Sequence, residues 1–193
     1  MGTNLLNKDG KIIHSYGDFE DVHQVNAKIR NIAHTVYGNL KLYLLNKIVK
    51  KEIPCANRQK IFEEKKGNVD YITGADLFIK NNELAYYDER YFMYCEEMDL
   101  QYSMAQNGLS RILITSPKII HLEGASAKKE NNIILQEATF SRINWRISQI
   151  YFFRKHGTLI SKIFIWKFFV LLLWLNPLIF KQTWKYIRSL WKI

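Results

Sequence analysis

The sequence predicts an α/β chain that ends in a helical, membrane-associated tail. Three observations carry this expectation. Short β-branched and aromatic runs bounded by Gly and Pro alternate with longer stretches whose apolar residues recur at helical spacing. Charge is divided unevenly: residues 1–140 hold 18 Lys+Arg and 18 Asp+Glu, whereas residues 141–193 hold the remaining 10 Lys+Arg and no acidic residue. The basic segment is also the most apolar, so the net charge of +10 belongs to a hydrophobic tail and not to a polar groove. At 193 residues the chain is long enough for one domain with an appendage. Cys55 and Cys95 have neither CxxC spacing nor a neighbouring His cluster, so no zinc or disulfide framework is signalled and a reducing, cytoplasmic setting fits.

The opening segment, Leu5 to His14, reads as two extended pieces around the turn dipeptide Asp9-Gly10, a hairpin. Met1 to Gly10 is polar and lacks the apolar core of a signal peptide. From Val25 to Lys50 apolar residues recur at Ile29, Ile32, Ala33, Val36, Leu40, Leu44 and Ile48, which predicts one helix, or two divided at Gly38. Pro54 closes that region, and a mixed-charge stretch runs from Arg58 to Lys66.

The character then changes. Val69 to Thr73, Leu77 to Lys80 and Arg111 to Thr115 read as strands. A helix is expected from about Cys95, with Leu100 and Met104 on one side and Asn107-Gly108 as its stop. Pro117 to His121 leads into a small-residue turn, Gly124 to Ser126. Helical spacing returns from Asn132 to His156, and Gly157 is a plausible stop.

The tail runs from Leu159 to Ile193, with tryptophans at 166, 174, 184 and 191. Trp and Lys/Arg among apolar residues, without acids, suit an anionic bilayer surface. The uninterrupted apolar run, Phe168 to Leu175, is too short to span, and the wider stretch from Ile163 to Phe180 includes Lys167, Asn176 and Pro177. A crossing needs roughly 20 mostly apolar residues. The expectation is therefore an in-plane or re-entrant helix pair, with a helix packed on the domain or on a partner chain as the alternative.

Chemistry concentrates between Tyr86 and Leu100, where Asp88, Glu89, Glu96, Glu97 and Asp99 stand among Tyr86, Tyr87, Tyr91, Phe92 and Tyr94. Acids in a first helical turn are favoured by the dipole alone, so Glu96, Glu97 and Asp99 have a plain structural reading. Aromatic walls give a second one, because partial desolvation raises a carboxyl pKa and makes a better general base near neutrality. On a helix Glu96 and Asp99 share a face, and Glu97 points about 100° away by the 3.6-residue period. His121 precedes a turn that could carry an imidazole to a metal or a diphosphate, although a lone His is more often structural.

Taken in order, Ile72 to Ile79 with Gly74-Ala75, Tyr87 to Leu100 with Glu96-Glu97-Met98-Asp99, and Pro117 to Ser126 with His121, the chain resembles the second half of family-2 glycosyltransferases. It is most similar to bacterial rhamnosyltransferase-like enzymes of polysaccharide assembly. The resemblance is strong from Asn68 to Ser126 and weaker in the flanks. It implies that residues 1–130 are the acceptor-side, C-terminal half of a GT-A (Rossmann-like) domain, with residues 131–193 as the membrane-associated helical tail.

It further implies inverting transfer of a sugar from a nucleotide-sugar donor to a cell-surface polysaccharide or lipid-linked glycan acceptor. Glu97 would deprotonate the acceptor hydroxyl, and Glu96 and Asp99 would serve the acceptor or the helix start. Gly74 and Ala75 would line the sugar pocket, with Asp76, Asp88 and Glu89 also on the substrate side. His121 would sit by Mg²⁺ or Mn²⁺ and the diphosphate. Glu97 stands where Asp is commoner, and Tyr86-Tyr87 replaces a Gly-Gly-Phe type of lead-in. Complete relatives begin with a nucleotide-binding half ending in an Asp metal motif, and no counterpart precedes Met1 here, so a separate N-terminal nucleotide-binding half is an expected partner. The cytoplasmic face of the cell membrane is the expected location. A catalytically silent membrane-bound scaffold for polysaccharide assembly is the alternative. Nucleic acid is not expected as a partner, because the basic residues lie between apolar runs instead of along a groove with stacking rings.

Overall fold

Polar turn residues and short β-branched runs build the first part of the protein, and long apolar periodicities build the rest. The computed structural model describes residues 1–49, 62–122, 133–157 and 159–193. Pro54, Cys55, the first four residues of the Arg58 to Lys66 stretch and the Gly124 to Ser126 turn lie outside the described residues, as do Lys50 and Asn132. The fold is mixed α/β. It divides into two units, Met1–Phe19 with Arg58–Lys129, and Glu20–Asn57 with Glu130–Ile193. The chain thus passes between units near 130, where the sequence changes character, and also at Glu20.

In the first unit, β1 (Gly2–Leu6) turns back at Asp9-Gly10 as expected. Ile13 N–H donates to Leu5 O, Leu6 bridges Ile12 antiparallel, and Gly10 takes φ +73°. The main partner of β1 is nevertheless distant in sequence. It lies parallel to β5 (Ile112–Ile120), whose other edge takes β3 (Gly67–Asn68) antiparallel. β5 is longer than Arg111 to Thr115. It accommodates Pro117 because the register jumps from Thr3↔Ile114 to Leu5↔Ile119, a bulge that needs no ladder N–H there. A second ribbon pairs β2 (Tyr16–Gly17) with β4 (Tyr71–Ile72) antiparallel. Val69, Ile72 and Leu113 form a buried cluster against which Tyr16 and Leu77 pack.

The strand expected from Leu77 to Lys80 does not form. A 3-10 turn at Gly74–Asp76 buries Asp76, whose Oδ2 accepts from Thr3 N–H, and the chain beyond meets β1 chiefly where Phe78 N–H donates to Met1 O. α2 (Glu96–Gln106) runs as predicted, with Asn107 as its C-cap and Gly108 at φ +74°. Met98, Leu100 and Met104 are buried.

In the second unit, α1 (Val22–Val49) is one helix of 28 residues, undivided at Gly38. It buries Val22, Val25, Ile29, Ala33 and Val36 along one stripe. The single helix expected from Asn132 to His156 is broken into α3 (Ile133–Gln136) and α4 (Phe140–Lys155). Thr139 is extended and its side chain accepts from Arg142 N–H, an N-cap that a Thr with its own backbone-competing hydroxyl supplies. α4 ends before Gly157, at φ +76°. The tail is a helix pair, α5 (Ile160–Trp174) and α6 (Phe180–Ser189), separated at Asn176-Pro177. Asn176 Oδ1 accepts from Leu178 N–H, closing that turn. α5 is central: it packs on α1, α4 and α6 and buries Trp166, Val170, Leu173 and Trp174. Among the described residues no helix is long and apolar enough to cross a membrane.

Candidate functional site

The acids of the first unit are positioned by the entry to α2. Tyr94 and Cys95 both adopt left-handed backbone, at φ 68° and 65°, immediately before the helix. Non-glycine residues pay roughly 1–2 kcal/mol each for this conformation, so the surrounding packing holds the turn in place. Cys95 is buried and provides no side-chain cap, which leaves Glu96, Glu97 and Asp99 as the groups at the positive end of the helix dipole.

The three acids do different things. Asp99 is buried and accepts from the Tyr91 hydroxyl at 2.9 Å, so it fixes the aromatic loop to the helix. Burial and the Asp99 charge together push the Tyr91 phenol far up, and it remains a donor. Glu96 and Glu97 are half-buried, each with one oxygen, Oε2, that lacks a hydrogen-bond partner. Burial pushes the Glu97 carboxyl above the ordinary glutamate value and the adjacent Glu96 charge adds to this. Hydrogen bonds from its own N–H and from Gly74 N–H pull the other way.

Gly74 is therefore beside Glu97. A Cβ placed on Gly74 would rest 3.9 Å from Glu97 Cβ and Cδ, in ordinary contact, so any larger side chain there would lie over the carboxylate. Ala75 is exposed next to it. The connection is held by Gln101, one turn along α2. Its Oε1 accepts from Ile72 N–H at 2.8 Å, and its Nε2 donates to Ile72 O at 2.7 Å and to Glu97 O at 3.0 Å. Gln101 acts as a one-residue strand partner for β4, locking the strand that leads to Gly74 onto the helix that carries Glu97.

The remaining candidates are placed apart from this pair. Asp88 is paired with Arg90, which donates Nε to Oδ1 at 2.8 Å and Nη2 to Oδ2 at 2.7 Å. Glu89 is exposed. Asp76 lies under β1 with Oδ1 unpartnered. Burial raises its pKa, opposed by the Thr3 N–H bond, then by the N-terminal ammonium and by His121. His121 N–H donates to Leu6 O at 2.8 Å, which continues the β1–β5 pairing.

Two residues that sequence reasoning missed belong to the site. Gln101 is one, and a polar residue at a buried helical position was the available signal. Tyr87 is the other: burial, then the charges of Glu97 and Glu96, raise its phenol pKa, so it stands near both acids as a protonated donor. A separate open cleft of about 330 Å³ lies at the opposite end of α2, lined by Asp18, Lys65, Asp70, Ser110 and Arg111 among others, and includes neither glutamate.

Among the described residues no three His, Cys, Asp or Glu side chains gather as a metal site. Mg²⁺ commonly takes only one or two protein carboxylates and completes its shell with phosphate oxygens and water. Asp76 and His121, the two candidates for such a partial set, stand near enough for electrostatic interaction between them. No family model matches the chain, and no curated protein or solved structure matches it significantly.

Proposed function

We propose that the first unit is the acceptor-side half of a family-2, GT-A-type glycosyltransferase, carrying the general base for inverting transfer from a nucleotide-sugar to a surface polysaccharide or lipid-linked glycan. A nucleotide-binding half supplies the donor, and the second unit holds the assembly on the cytoplasmic face of the membrane. The observation that carries this reading is the meeting of Gly74 with Glu97. A carboxyl group with a raised pKa lies against an exposed residue without a side chain, so no side chain at position 74 stands between it and an approaching acceptor.

In this reading Glu97 takes the proton from the acceptor hydroxyl as that oxygen bonds to the anomeric carbon, whose bond to the nucleoside diphosphate breaks as the diphosphate leaves. Glu96 keeps the proton affinity of Glu97 high, Tyr87 offers a hydrogen bond to the acceptor, and Gln101 and Asp99 hold the helix start in place. The test is replacement of the chromosomal copy in the source cell. Glu97→Gln should abolish the glycan as completely as deletion of the chain does. Loss on deletion with retention in Glu97→Gln would overturn the base assignment and favour the scaffold alternative. An unchanged glycan in both strains would sink the enzymatic reading.

A further inference from the structure

The second unit exposes an apolar stripe and a basic stripe that none of its described helices covers. On α5, Ile160, Phe164 and Phe168 recur every four residues and are 72%, 59% and 57% exposed, opposite the buried stripe of Ile163, Trp166, Val170 and Trp174. α6 buries Thr183, Ile187 and Leu190. Its outer side carries Lys181, Lys185, Arg188 and Lys192, all exposed and spaced four, three and four residues apart. Beside them stand Phe180, Trp184 and Trp191, with the Phe180 and Trp184 rings 5.1 Å apart and the Arg188 guanidinium 5.0 Å from the Trp184 ring.

Such surfaces have a definite chemical requirement. Large exposed rings at helical spacing lose contact with water only against something apolar. A cationic stripe beside them, in a segment without a single acid, requires that the same surface be anionic at its edge. A protein partner could supply either property, but an anionic phospholipid bilayer supplies both, at the depths where tryptophan rings and long basic side chains settle. α5, with 15 residues, is about 22 Å long and cannot cross a hydrocarbon core of about 30 Å.

We infer that α5 and α6 dock flat on an anionic bilayer, with Phe164, Phe168, Trp184 and Trp191 in the interface and the α6 basic stripe on lipid phosphates. This rests on the membrane-surface reading above and is independent of the transfer chemistry. Trp166 and Trp174, fully buried, stay out of the lipid.

The experiment uses the full chain with vesicles of phosphatidylcholine alone or mixed with phosphatidylglycerol, in sedimentation and in tryptophan quenching by brominated lipid. Binding is expected to the anionic vesicles only, and to weaken with salt. Replacing Lys181, Lys185, Arg188 and Lys192 by Gln should weaken it by on the order of 1,000-fold, since each such charge near the surface contributes about fivefold. Trp184→Phe with Trp191→Phe should remove most of the quenching while the protein stays folded by circular dichroism. Binding with quenching intact in that double variant would overturn this face and leave membrane attachment standing. Failure of the full chain to bind anionic vesicles would overturn both, as would lipid-free self-association that the same tryptophan variants abolish.

Discussion

Buried polar groups in the two units serve different ends. In the first unit the strands are short and the loops long, so side chains complete hydrogen bonds that ladders leave open. Gln101 serves both backbone groups of Ile72; Asn4 exchanges bonds with Lys65 N–H and O at 3.0 and 2.8 Å; Ser15 Oγ accepts from Leu5 N–H. In the second unit the helices satisfy their own backbone, and the centre is filled by Trp166, Trp174, Phe152, Phe153 and Ile150. Its buried charges pair with one another instead: Glu137 lies 3.5 Å from both Arg142 and Arg146. A unit with little regular structure thus uses polar side chains as scaffolding for its strands, while the helical one brings its buried Glu137 and Arg146 together in an ion cluster.

The sharpest way to break that contrast is Arg146→Met. Arg146 is 1% exposed, and removing it leaves Glu137 buried with only Arg142. A loss of about 3 kcal/mol is expected in urea unfolding, with most of it recovered when Glu137→Leu is added, because the pair together is nearly dispensable. Full loss persisting in the double variant would show that Arg146 does more than compensate Glu137.

Gln101→Ala probes the other strategy. It strands the buried N–H and C=O of Ile72, at roughly 1–2 kcal/mol for each such group, so a loss of about 2–4 kcal/mol is expected. The Glu97-dependent phenotype should weaken in parallel, since the same residue holds both strand and helix. A loss below about 1 kcal/mol would mean that water replaces the side chain and that polar scaffolding is not what holds this unit together.

Tyr91→Phe should cost about 1.5–3 kcal/mol near neutrality through its bond to Asp99. The wild-type difference should also shrink in alkali. The native Tyr91 pKa is raised, so above about pH 10 the unfolded chain releases that proton while the native one keeps it, and stability falls as pH rises further. Tyr91→Phe lacks this decline, and identical pH profiles for the two proteins would refute the assignment.

The smallest effect expected is a gain. Glu97 has a raised pKa, so its ionisation opposes folding as pH rises from the ordinary glutamate value through the native one. Glu97→Gln should therefore raise stability at neutral pH by on the order of 0.5–1 kcal/mol while removing function, as neutralised active-site charges do. A destabilised variant would mark Glu97 as structural.

Local chemistry left readable marks in the chain. Asp9-Gly10 dictated a turn because glycine adopts positive φ without a Cβ clash, Asn107-Gly108 ended α2 for the same reason, and Asn176-Pro177 separated the tail helices. The apolar period of α1 located its buried face at Ile29, Ala33 and Val36, although Leu44 of the same period is exposed. The run of five carboxyl groups among tyrosines stood out along the chain, but the structure brings only Glu96 and Glu97 together beside Gly74 and sets Asp88 and Glu89 apart.

Which acid does what was not legible. Glu96, Glu97 and Asp99 are chemically alike in one dimension, and they differ only because Tyr91 meets Asp99 and Gly74 meets Glu97. The pairing of β1 with β5, the loss of the Leu77 to Lys80 strand to the buried turn at Asp76, and the break at Thr139 likewise depend on partners far along the chain or on a side chain drawn into the core. Composition, periodicity and turn residues determine what each segment prefers by itself. Contacts across many residues decide which preferences survive, because burial and hydrogen bonding are shared between segments and no single segment contains both halves of the interaction.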